Sequence, residues 1–158
     1  AVTAHQDGTQ VTVTMATDPL DIDALLALTQ TRTTSYGGAP DGLRIGHMHL
    51  RVGDLEQADR FYGGVIGFDP TRKRTGAAFL SSGRYHHHLG VNVWQSQGAG
   101  SRDDTATGLA WFSLEIATQD ILQAQEQRLQ RAGAPAVAIA DGIETTDPWG
   151  TKVRLIRI

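Results

Sequence analysis

Residues 45–52 read IGHMHLRV, and residues 109–116 read LAWFSLEI. The two stretches share one alternation of apolar and polar positions, which predicts a strand in each with one face turned to a core. The residues after each stretch repeat a second pattern. In the first half, Asp54 caps a helix with Gln57 in the capping-box position. Leu55, Ala58, Phe61 and Tyr62 form its apolar stripe, and Gly63 and Gly64 are expected to stop it. In the second half, Ile121, Leu122, Gln125, Leu129 and Ala132 fall along a helix that stops at Gly133. Short strands complete both halves: 77–81 and 84–94 in one, 136–140, 143–146 and 152–158 in the other. Arg72, Lys73 and Arg74 read as a solvated loop between them.

Each half therefore reads as β-α-β-β-β. Two such units, each with an uncovered sheet face, can pair those faces around a shared cavity. The expected class is α+β: two paired βαβββ modules, residues 44–96 and 108–158, forming a curved mixed sheet around a cavity. A short strand-helix leader, residues 1–43, precedes them. Within it, residues 10–16 (QVTVTMA) alternate and read as a strand. Asp18 is expected to cap a helix opened by Pro19, with Ile22, Leu25, Leu26 and Leu28 on one face. Residues 29–42 are rich in Thr, Ser, Gly and Pro and read as a linker, with Tyr36 in an ordered turn.

The chemistry sits on histidines. Of six in the chain, all but His5, which reads as solvated terminus, lie in IGHMHLRV and YHHHLGVN. On a strand His47 and His49 share one face, opposite Met48, Leu50 and Val52; His86 and His88 share one face, opposite Leu89 and Val91. By the same count His87 points to the helix side as a hydrogen-bonded structural residue. If the strands are neighbours, imidazoles converge, as in sites for divalent metals.

Composition narrows the rest. The 158 residues suffice for one ordinary core, and a formal charge of −3 gives no footprint for nucleic acid or an anionic membrane. No apolar run approaches the roughly 18–20 residues that span a bilayer. The absence of cysteine excludes disulfides, thiolate metal sites and thiol nucleophiles, and fits a cytoplasmic protein. Any metal must be held by His, Asp or Glu.

The stretches GHMHLRVGDLEQADRFYGGVIGF (46–68), LSSGRYHHHLGVNVW (80–94), GLAWFSLEI (108–116) and TTDPWGTKVRL (145–155) resemble the vicinal oxygen chelate superfamily. That group holds glyoxalase I, bleomycin and fosfomycin resistance proteins and extradiol dioxygenases. Within it they are similar to the C-terminal half of two-domain, Bacillus-type catechol 2,3-dioxygenases. VTVTMATDPLDIDALL (11–26) is similar to the last strand and connecting helix that precede that half. The chain is then a half-length relative or a fragment lacking a first domain.

The resemblance implies metal ligands on the first and last strands of each module. Those positions hold His47 and His88 in the first module, but Trp111 and Arg154 in the second. Arginine stays protonated and offers only donors, so it cannot bind a metal. Glu115, on the strand face of Trp111, or Glu144 could supply a carboxylate ligand, though neither stands at the family's ligand position, and His49 or His86 could act as acid or base. On this reading a divalent metal, iron first with manganese, nickel or zinc as other choices, binds a small substrate through two neighbouring oxygens. The alternative is a metal-free binding protein of the bleomycin-resistance type, with Trp94, Trp111 and Arg154 lining a pocket for a flat ligand. With no domain before it, strand 10–16 would be left unpaired, an edge that favours a homodimer.

Overall fold

The computed structural model describes residues 2–7, 10–15, 19–28, 35, 37–103 and 105–158, the first two segments by backbone alone. The chain divides into two compact units, residues 1–45 and 46–158. Asp18, Tyr36, residues 29–34 of the linker and the His5 side chain lie outside the described residues.

In the first unit β1 (Val2–Asp7) and β2 (Gln10–Met15) form an antiparallel hairpin. The expected leader strand therefore has a partner along one edge. The polar sequence VTAHQD hides β1 from a pattern search. α1 (Ile22–Ala27) is capped by Asp21, whose carboxylate accepts from the Ala24 N–H at 2.9 Å, and none of its residues is buried.

The second unit repeats one plan twice. β3 (Met48–Arg51), α2 (Leu55–Ala58) with its π-helical continuation Asp59–Ile66, β4 (Asp69–Arg74), β5 (Ala77–Ser81) and β6 (Leu89–Asn92) make the first module. β7 (Trp111–Ile116), α3 (Gln119–Arg131), β8 (Val137–Ile139), β9 (Gly142–Thr146) and β10 (Lys152–Arg157) make the second. The mixed sheet is hydrogen-bonded as two four-stranded halves, ordered β3-β6-β5-β4 and β7-β10-β9-β8. In each half the first strand runs parallel to the last and lies at an edge.

One core serves both modules. Leu50, Val52, Tyr62, Leu80, Leu89 and Val91 from the first pack in a cluster with Phe112, Leu129, Val153 and Leu155 from the second. The alternation of both first strands is obeyed: Leu50 and Val52 are buried, and His47, His49 and Arg51 are exposed. Asp54 caps α2 as expected, accepting from the Gln57 N–H at 2.7 Å. On α3, Leu122, Gln125 and Leu129 are buried, whereas Ile121 is exposed.

Three local expectations need correction. Gly63 and Gly64 do not stop the first helix; it runs to Ile66 and ends at Gly67, whose φ of 97° is the left-handed region that favours glycine. Its last carbonyls are taken by α3. Gln125 Nε2 donates to Val65 O at 2.6 Å and Arg128 donates to Gly64 O at 2.9 Å, so tertiary partners carry the helix past its glycines. Arg72, Lys73 and Arg74 belong to β4, an outer strand with a register shift between Pro70 and Arg72. An edge strand tolerates charge and proline, and so carries no apolar alternation to read. The last strand of the first module begins only at Leu89, after bends at His86 and His88.

Candidate metal centre

Those bends decide the site. With no regular strand before Leu89, alternation counted backwards from Leu89 and Val91 fails for the histidine run. His87 does not join the helix side. Its ring lies with His47 and His49, centroids 4.6 and 5.2 Å away, and edge-on to Phe79 at 5.1 Å. Phe79 pairs with Gly90, and Gly90 pairs with His49, so these residues share the sheet face opposite the core.

Among the described residues, His47, His49 and His87 form the one group of three or more ligating side chains whose donor atoms lie within 4.8 Å of one another. His47 and His49 are exposed and His87 is buried. His49 Nε2 stands 3.2 Å from His87 Nε2, and His87 Nδ1 is buried with no hydrogen-bond partner. Of the expected ligands, then, the structure gathers His47 and brings His49 and His87 to it.

The remaining expected residues take other places. His88 is turned away from this group: its Nδ1 accepts from the Ser82 N–H at 3.2 Å and meets Ser81 Oγ at 3.2 Å, and its ring stacks on Phe68 at 16°. His86 borders the group, its ring 4.5 Å from that of His87 and 6.0 Å from that of His47. Tyr85 leans on both His86 and His88, at 4.2 and 4.8 Å. Glu115 is exposed on β7 and is not part of the three-histidine group. Arg154 donates through Nε to Glu144 at 2.7 Å and lies 4.1 Å over the Trp111 ring. Lys152 adds a second cation 3.7 Å from Glu144, and the Arg154 hydrogen bond chiefly holds that carboxyl below its usual range. Trp94 is exposed in the turn after β6.

Burial first, and then the neighbouring imidazoles with His47 foremost, push His87 down to about 4. His49 is lowered by burial and then by His47. The His87 ring is therefore neutral at pH 7, with a nitrogen lone pair to offer, which is the form that binds metal. The sign of a pH dependence is then set. Unfolded, this ring takes a proton near 6.5; folded, it refuses one until about 4. Between those values the unfolded state binds more protons, so stability is full above pH 6.5 and falls as pH drops towards 4. With solvent screening of this partly hydrated group, the expected loss is about 1–2 kcal/mol. Urea titrations in chelator at pH 7 and pH 4.5 measure it, and His87→Gln should flatten the difference. An equal slope in the variant would assign the acid sensitivity elsewhere.

The second unit is thus a pair of βαβββ modules with three imidazoles close enough together that they could hold a metal ion. Comparison with known proteins gives the family. Residues 44–155 match the model of the Glyoxalase/Bleomycin resistance protein/Dioxygenase superfamily, and the chain belongs to that superfamily. It is 35% identical over 137 residues to a catechol-2,3-dioxygenase of Bacillus subtilis (strain 168), an alignment covering 85% of this chain and 47% of the relative. The chain thus spans about half the length of that protein. Among solved structures, a glyoxalase/dioxygenase from Nostoc punctiforme superposes with a TM-score of 0.60 at 16% identity, covering 79% of this chain and 98% of that one. A lactoylglutathione lyase from Agrobacterium tumefaciens gives 0.56 at 20% identity, covering 75% and 96%. These two likenesses concern the fold. Among the described residues no helix is long and apolar enough to cross a membrane.

Proposed function

We propose that this domain is the metal-binding part of a cytoplasmic, homodimeric, dioxygenase-like enzyme acting on small molecules with neighbouring oxygens, catechols first among them. The observation that carries this reading is the three-imidazole group of His47, His49 and His87. Its spacing fits a cation. Two nitrogens held by one ion at about 2.0–2.1 Å, with an angle near 90–110°, lie about 2.8–3.4 Å apart, and His49 Nε2 and His87 Nε2 are 3.2 Å apart.

Three imidazoles suit iron, nickel or zinc better than manganese, which prefers oxygen donors. Iron is placed first because oxygen activation needs a redox metal. A bound divalent ion supplies Lewis acidity to two adjacent substrate oxygens. The chain does the rest. His47, His49 and His87 would hold the ion. His86, bordering the group with Tyr85 against its ring, holds or moves a proton at the substrate. His88 supports the bend through Ser81 and Ser82 rather than ligating. Glu115 is assigned no ligand role.

The metal-free reading has less support, because the cation it needs is already engaged: Arg154 is tied to Glu144. That guanidinium also covers the Trp111 ring.

The test is metal analysis of tag-free protein purified without chelator, beside a His47→Ala/His87→Ala variant. About one equivalent of metal per wild-type chain is expected, and none in the variant. Catechol cleavage by the Fe(II)-loaded wild type is the second expected result. A wild-type protein that holds no metal after exposure to Fe(II) or Zn(II) would end the reading.

A further inference from the structure

The residue paired with His49 across the parallel β3–β6 ladder is Gly90. A Cβ at that position would lie 2.9 Å from His49 Cε1, 3.0 Å from Nδ1 and 3.2 Å from Nε2. Those three ring atoms are its nearest neighbours, so the imidazole occupies the space that a side chain at residue 90 would fill. The backbone does not ask for glycine here, since Gly90 is absent from the residues with positive φ. Interior strand glycine is otherwise a cost, through chain entropy and lost packing. What requires it is the ring.

Phe79, the partner of Gly90 on β5, packs edge-on to both His49 and His87, at 6.3 and 5.1 Å. We propose that Gly90 is a positioning residue: its missing side chain seats the His49 imidazole across β6, with Nε2 facing His87. The proposal rests on the three-histidine reading for its consequence, metal affinity, but the seating is a property of the metal-free chain. The contact is with the far end of a side chain rather than with backbone. A methyl group therefore moves the ring and spares the fold.

Gly90→Ala, His49→Ala and the double variant separate these effects. Titration calorimetry with Zn(II) alone is expected to show 10–100-fold weaker binding for Gly90→Ala than for wild type, the range for residues that orient a ligand. In the His49→Ala background the same change should alter affinity less than twofold, because no ring remains to displace. The chelated Gly90→Ala protein should melt within a few degrees of wild type. In the metal-free wild type, ring-proton NMR should give a cross-peak between His49 and His87 that Gly90→Ala abolishes.

Unchanged affinity, or a cross-peak that survives the methyl group, overturns the assignment. If Gly90→Ala alone fails to fold, recovery of folding in the double variant upholds the contact, and no recovery overturns it. A wild type that takes no Zn(II) defeats the metal reading, whereas the cross-peak still decides the seating.

Discussion

Asp147→Ala should lower the unfolding free energy by about 3–5 kcal/mol, a large share of the roughly 5–15 kcal/mol that holds a domain together. Asp147 is buried and its carboxylate serves two modules at once. Oδ1 accepts from the Trp149 and Thr151 N–H groups at 2.9 and 2.7 Å, which closes the DPWGT turn ahead of β10. Oδ2 accepts from the Tyr62 hydroxyl at 2.7 Å, which reaches it from the helix of the first module. Burial and then Asp147 push the Tyr62 hydroxyl well above 10, so it stays a proton donor at any working pH.

Alanine leaves three donors inside the protein with no acceptor, and each buried unpaired donor costs about 1–3 kcal/mol. The sum is not strictly additive, because the turn can relax. Tyr62→Phe removes one bond and leaves one oxygen bare, so about 1–3 kcal/mol is expected. Asp147→Asn keeps an acceptor for the turn and should fall between the variants. Urea unfolding of the three proteins measures the series. An Asp147→Ala loss below about 1 kcal/mol would mean that the turn and the junction hold without this carboxylate.

That junction is only half visible in the sequence. Tyr62 reads as helix core from its spacing, and TTDPWGTKVRL reads as a turn and strand, but nothing local says that the two meet. The fold is legible because alternation at 45–52 and 109–116 is a local signal, as are Asp54 before α2 and Gly133 after α3. What escapes is set by neighbours. β4 is hidden because an edge strand can be written DPTRKR. The helix passes Gly63 and Gly64 because Gln125 and Arg128, far away in the chain, donate to its last carbonyls.

The site divides in the same way. His47 and His49 lie at and just before a regular strand, and parity places them correctly on the open face. The run 86–88 lies before the strand expected to carry it, and a bend cancels parity. The glycine facing His49 gives the one available hint. A small residue inside an apolar strand marks close approach by something else, and that something is an imidazole.

Saturating Zn(II) should raise the melting temperature of the wild-type chain by about 8–16 °C over the chelated protein. A ligand that binds only the folded state, present at 1,000 times its dissociation constant, adds about 4 kcal/mol. For chains of 150–250 residues each kcal/mol is worth about 2–4 °C. Variants decide between two histidines that compete for the same role. His88 occupies the position that the superfamily resemblance implies as a ligand, yet its Nδ1 is engaged by Ser82 and its ring by Phe68. His87 lies with His47 and His49, its Nε2 3.2 Å from His49 Nε2. His87→Ala should therefore abolish the shift, with Zn(II) affinity down by more than about 100-fold, since a ligand matters more than the residues that orient one. His88→Ala should keep most of the shift while lowering the chelated baseline slightly, through the lost hydrogen bond and stacking. The opposite pattern, with the shift lost in His88→Ala and kept in His87→Ala, would return the centre to the position implied by the resemblance. It would also mean that the bend at 86–88 straightens when a cation binds.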